Sequence, residues 1–211
     1  MSELASHQEL LAAALQTYRG VDDREEQHRE TILKQVEASA TWWHRENLPG
    51  HVTGSAFVVD PLIERVLLHH HLKLDRWLQF GGHDEGERSP VETAVRELAE
   101  ESGLQSFEFF GEPAIFDLDV HEIPERGEMP AHDHLDVRFL FVADADQELK
   151  PAEGESNQLD WVLLEEAAIR MDEEGADRVI TKLLALRDFV REANRPDANS
   201  SKSSGIASEE E

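Results

Sequence analysis

Two periodicities alternate along the chain. Over residues 4–18 (LASHQELLAAALQTY) apolar residues recur at helical spacing, and over 23–45 Ile32, Val36, Ala40 and Trp43 repeat it. Helices are expected over both stretches, and Asn47-Leu48-Pro49-Gly50 breaks the second. The pattern then shortens to that of strands in HVTGSAFVVD (51–60) and RVLLHHH (65–71), joined by a turn at Asp60-Pro61. A short apolar piece at 77–80 runs into Gly81-Gly82. A third helix is expected from Ser89 as N-cap, with Pro90 in the first helical position, Glu92 closing a capping box and Gly103 ending it. Residues 107–112, 114–123, 134–143 and 160–164 read as further strands, and 164–170 and 177–193 as helices. The tail from Asn194 is polar and expected to be disordered. This order predicts a mixed sheet with helices packed on it. It divides the chain into a helical extension (1–47), one domain (48–193) and a tail (194–211).

Bulk properties narrow the classes. The chain has 211 residues, 39% of them apolar, enough for one core. Its longest apolar runs, such as 139–143, are strand-sized, far below the roughly 20 residues of a membrane span. The start, MSELASHQELL, has no basic region followed by an apolar one, so no signal peptide is expected. With no cysteine there is no disulfide, thiolate metal site or thiol nucleophile, which fits a cytoplasmic protein. The net charge of −26 makes nucleic acid an improbable partner. Acid-rich, lysine-poor composition fits either a salt-adapted source or plain solubility.

The chemistry concentrates in GGHDEGERSPVETAVRELAEESGL, residues 81–104. On a helix Glu97, Glu100 and Glu101 share a face, while Ala94, Val95 and Leu98 turn to other sectors and can seat the helix on the sheet. Adjacent like charges cost roughly 0.2–0.5 kcal/mol per exposed pair, so a cation should compensate. Hard divalent ions take carboxylate oxygens and leave room for phosphates. A solvated acidic face would have the same spacing, but the Gly81-Gly82 turn just ahead favours a site.

The stretch resembles the Nudix hydrolases. Their signature runs Gly, five residues, Glu, seven residues, Arg-Glu-aliphatic, one residue, Glu-Glu, one residue, Gly-aliphatic. Gly82, Arg96-Glu97-Leu98, Glu100-Glu101 and Gly103-Leu104 match it. The flanking strands and LDWVLLEEA extend the resemblance over about 48–192. It implies an α/β/α sandwich of the α/β (α+β) class, here preceded by N-terminal helices. It also implies hydrolysis of a nucleoside diphosphate linked to another group, with Mg²⁺ or Mn²⁺ as cofactor. Glu97, Glu100 and Glu101 are then the metal ligands and catalytic set, with Arg96 fixing the preceding loop. One position departs: Arg88 stands where the family has its first glutamate, with Glu87 and Glu85 as possible substitutes. That departure keeps open a nucleotide-binding sensor or scaffold without strong turnover.

Around the box, Lys73, Arg76, Gly82 and His83 are candidate substrate contacts. His132, His134 and Asp136 would share one strand face, where they could bind a transition metal or hold a phosphate. Arg138 lies on the same strand, pointing inward or outward. Glu155, with Glu153 as its rival, is a candidate general base. Trp42 and Trp43 are expected to anchor the first helices, and Phe107, Phe109, Phe110 and Phe116 to pack in the core. Isopentenyl-diphosphate isomerase shares the fold but uses a cysteine; RNA decapping conflicts with the charge. ADP-ribose hydrolases begin with a small extra sheet, where helices are expected here. The resemblance implies a small nucleotide derivative as partner; a homodimer is possible, and no membrane association is expected.

Overall fold

A computed structural model describes residues 6–125, 127, 129–151, 154 and 156–195. Its sheet grows from β1 (Gly50–Val59) and β2 (Arg65–His71), which pair only through Val58↔Leu67 and Val59↔Val66 before they part. Each then builds its own arm. β2 carries β3 (Arg76–Leu78) and β8 (Ser156–Leu163), both antiparallel. β1 carries antiparallel β4 (Phe80–His83) on one edge and parallel β7 (His132–Val142) on the other. β6 (Ile115–Ile123) and the short β5 (Glu108–Phe109) pair with the outer edge of β7.

Helices cover both faces. α1 (His7–Thr17), α2 (Asp23–Ala38) and α3 (Pro90–Ser102) bury Leu11, Leu15, Ile32, Val36, Ala94 and Leu98 against Val52, Ala56, Val58, Val137 and Phe141. α4 (Leu164–Met171) and α5 (Ala176–Ala193) bury Leu164, Ala167, Val179 and Leu183 against Phe57, Val59, Val66 and Leu140 on the opposite face. The result is the expected α/β/α sandwich with a mixed sheet. Burying one side chain such as Leu98 contributes about 2 kcal/mol. No described helix is long and apolar enough to cross a membrane.

Three local expectations are corrected. α2 stops at Ala38, although helical spacing continues to Trp43. Trp42 leaves the helix to enter the core, and its carbonyl accepts from the Val52 amide. Ser89 occupies the N-cap position without a side-chain bond, so no capping box forms. Asp84 grips the Ser89 amide at 3.2 Å instead, fixing the loop ahead of α3. The last strand begins at Ser156, earlier than its apolar content suggested, because β2 pairs it along its whole length. The aromatic expectations hold: Trp43, Phe107 and Phe109 pack on one core, Phe110 and Phe116 on the other.

Strand β6 forms an outer edge whose peptide groups are claimed by side chains. The Phe116 carbonyl accepts from Tyr18 Oη and Lys182 Nζ, and the Leu118 amide donates to Glu25. The Leu118 carbonyl accepts from Arg178 and lies 3.2 Å from His28 Nδ1. α1, α2 and α5 are thereby tied to the sheet.

Candidate active site

α3 reaches the sheet closely because glycines face it. A Cβ on Gly54 would collide with the Pro90 carbonyl, and one on Gly82 with the Glu97 carboxylate. The Gly81 amide donates to Glu101 Oε2 at 3.3 Å. Glu97 and Glu101 are therefore held beside β4, whereas the Glu100 side chain is 60% exposed. Arg96 organises the set. Its Nε donates to Glu87 Oε1 and its Nη2 to the His83 carbonyl, both at 2.7 Å. Nη1 lies 3.1 Å from Glu97 Oε1 and 3.2 Å from Glu100 Oε2. Burial opposes charge on both Glu87 and Arg96. For Glu87 it is outweighed by backbone amides and Arg96, which lower its pKa; for Arg96 it is outweighed by Glu87 and Glu97, which raise it.

The departure at Arg88 resolves within this loop. Arg88 adopts φ 58°, and its guanidinium sits 5.2 Å from the Trp43 ring, toward the N-terminal segment. Glu87, one residue earlier, reaches Arg96, while Glu85 gives its amide to Glu87 at 2.7 Å. Of the two candidates, Glu87 makes the bond to the signature arginine. The oxygen-only donors Glu97, Glu100 and Glu101, one of them open to solvent, suit a hard divalent cation.

The other face of the same strands is also polar. Down β1 it reads His51, Thr53, Ser55, Phe57; down β7 it reads His132, His134, Asp136, Arg138, Leu140. Parallel register sets His51 beside His134. The His51 ring centroid is 5.1 Å from those of His83 and His134 and 5.2 Å from that of His132. His83 Nε2 and His134 Nε2 are 3.1 Å apart, and the His121 ring is 5.5 Å from that of His134. Burial, and then neighbouring positive charge, lowers the pKa of His51 to about 4 and of His83 to about 3, and pushes His134 well down. Gly82 thus turns toward Glu97, and His83 turns its ring the opposite way while its carbonyl serves Arg96.

Next along this face lies a buried ionic cluster. Arg138, 1% exposed, donates to Asp136 at 2.8 Å, Asp119 at 3.2 Å and Asp117 at 3.4 Å. Arg178 and Lys182 of α5 reach Asp117 at 2.9 and 2.8 Å. Asp136 also accepts from Thr53 at 3.0 Å and Ser55 at 2.7 Å. Glu173 lies 3.7 Å from Arg138, and burial raises its pKa.

The sequence candidates therefore fall into two groups. Gly82, Arg96, Glu97, Glu100 and Glu101 come together on the α3 side of β4. His83, His132 and His134 come together on the other side, joined by His51 and His121, which sequence reasoning did not single out. Their shared signal was alternation with Thr53 and Asp119, but only strand pairing reveals it. Arg138 points inward and is engaged by aspartates, so it is not free to meet phosphate. Lys73 and Arg76 are exposed at the β2–β3 turn. Glu153 and Glu155 lie outside the described residues.

Known proteins agree with this architecture. The model of the NUDIX domain matches residues 51–183. No curated protein matches the chain. Among solved structures, a C. elegans Ap4A hydrolase in a binary complex is similar over 65% of this chain and 98% of its own, with TM-score 0.53 and 16% identity. An E. coli dihydroneopterin triphosphate pyrophosphohydrolase is similar over 64% and 95%, with TM-score 0.50 and 14% identity. A NUDIX-family hydrolase from Clostridium perfringens shares 24% identity over 66% and 97%, with TM-score 0.47. At such identities the structures speak for the fold; the domain match covers more than half of the sequence. The chain belongs to the NUDIX family, and its enzyme class is that of the Nudix pyrophosphohydrolases.

Proposed function

We propose that this enzyme hydrolyses a pyrophosphate bond in a nucleoside diphosphate linked to another group, and that it depends on Mg²⁺ or Mn²⁺. The carrying observation is the grouping of Glu97, Glu100 and Glu101 beside Gly82, braced by Arg96 through Glu87 and the His83 carbonyl. The three glutamates would hold the cation, which offsets the charge of phosphate oxygens and makes water more acidic. Arg96 keeps Glu97 and Glu100 aligned and fixes the loop that approaches the phosphates. In hydrolysis an oxygen–phosphorus bond forms to water, the anhydride bond breaks, and the leaving phosphate departs as an anion. The water's proton passes to a carboxylate, for which Glu100, the most open of the three, is the best candidate.

Lys73 and Arg76, at the exposed turn, would meet the outer phosphates. The substrates named for the C. elegans and E. coli proteins both contain phosphoanhydrides, which supports the bond class. The sensor alternative rested on Arg88; the Glu87–Arg96 bond favours turnover instead. The test is product release from a panel of nucleoside triphosphates, dinucleoside polyphosphates and nucleotide sugars with Mg²⁺, Mn²⁺ or chelator, comparing Glu100→Gln. Metal-dependent turnover that the substitution removes is expected. Turnover unaffected by chelator or by Glu100→Gln would refute the assignment.

A further inference from the structure

The histidine cluster lies on the face of β4 that α3 does not use, and it has its own chemistry. His51 is fully buried, and neither of its ring nitrogens has a hydrogen-bond partner. A buried polar group left in that state is destabilising, so something should satisfy it. Candidate donor atoms of His51, His132 and His134 all lie within 4.8 Å of one another. Nitrogens on a tetrahedral ion would stand roughly 3.3 Å apart, given metal–nitrogen bonds of about 2.0–2.1 Å. Small side-chain rotations would close the difference. His132 is already oriented as a ligand, because its Nδ1 lies 2.9 Å from the Pro130 carbonyl, which fixes the ring and leaves Nε2 for an ion. His83, with its ring 5.1 Å from His51 and 4.7 Å from His134, stands beside the fourth position.

We propose that His51, His132 and His134 form a second metal site, for a borderline divalent transition ion such as Zn²⁺, separate from the glutamate site. The donor set decides the class of ion. Imidazole nitrogens suit Zn²⁺, Co²⁺ or Ni²⁺, whereas Mg²⁺ requires oxygen. Asp136, the next residue along this face of β7, is committed to Thr53, Ser55 and Arg138. Bound there, the ion links the first turns of β1 and β7, and through His83 it fixes the end of β4. The proposal does not depend on the hydrolase reading.

The experiment uses the full chain, stripped with chelator and titrated with Zn²⁺ by calorimetry, with Co²⁺ as an optical substitute. Expected are one tight Zn²⁺ per chain, a raised melting temperature, and the intense visible bands of tetrahedral Co²⁺. Glu100→Gln should retain all three. His134→Gln and His132→Gln should weaken Zn²⁺ by more than the roughly 10–100-fold that follows loss of an outer partner. Circular dichroism checks that each variant is folded, and the Co²⁺ spectrum of the native chain needs no variant. No tight Zn²⁺, weak octahedral Co²⁺ bands only, or affinity unchanged in both histidine variants would overturn the proposal. So would loss of the site in Glu100→Gln, which would assign the ion to the glutamates.

Discussion

Replacing Arg138 by Met tests the buried ionic cluster. The side chain is 1% exposed and faces Asp117, Asp119 and Asp136, which are 0%, 3% and 2% exposed. Met preserves most of the apolar stem, so the change isolates the charge. Arg178 and Lys182 would still engage Asp117, but Asp136 would keep only the hydroxyls of Thr53 and Ser55. Breaking one partner of a buried pair costs about 3–5 kcal/mol. For a chain of this size that is a fall in melting temperature of roughly 6–20 °C, at about 2–4 °C per kcal/mol. Urea unfolding at pH 7 measures it.

The pH dependence sharpens this test. Burial alone would raise the pKa of Asp119, but the His121 hydrogen bond and the Arg138 charge hold it below the ordinary carboxylate value. A carboxylate depressed in the folded state stabilises it above the unfolded pKa of about 3.9, and that contribution is lost as pH falls toward the folded value. Without Arg138 the folded carboxylates bind protons more readily. The gap between variant and native chain should therefore be fully present at pH 7 and narrow as the pH falls below about 4 toward the depressed native value. A loss under about 1 kcal/mol, or a gap independent of pH, would refute the account of a charge-coupled cluster.

Two further predictions concern the acidic helix. Glu87→Gln should lower kcat/KM by roughly 10–100-fold, the usual cost of losing an outer support, while Arg88→Glu should bring no gain, because Arg88 turns to Trp43; steady-state kinetics of the two variants decides. Gly82→Ala should displace the Glu97 carboxylate and reduce turnover more than it reduces melting temperature, read by kinetics and thermal unfolding on the same preparation.

Local patterns carried the helices and the acidic motif into view, since Ala94, Leu98 and the glutamate trio depend only on spacing along one helix. What escaped depended on distant partners. His51 lies at the start of β1, far from His134 in sequence, and only the parallel register makes them neighbours. Asp117 and Asp119 alternate with apolar residues along β6, and their burial depends on α5, which covers that side and supplies Arg178 and Lys182 as counter-charges. The choice of Glu87 over Glu85 turned on the path of a loop whose Arg88 takes a left-handed conformation. α2 ended early because Trp42 gained more from the core than from another helical turn.

The side chains that occupy the outer peptide groups of β6 also decide how the molecule can associate. An incoming strand needs a row of vacant donors and acceptors, and at Phe116 and Leu118 these are already taken by Tyr18, Lys182, Glu25 and Arg178. Over those two residues the border resists templated aggregation and dimerisation by sheet extension. Among the described strands β3, β4, β5 and β8 also pair with a single neighbour, so a second copy that lengthens the sheet would join at one of those edges instead.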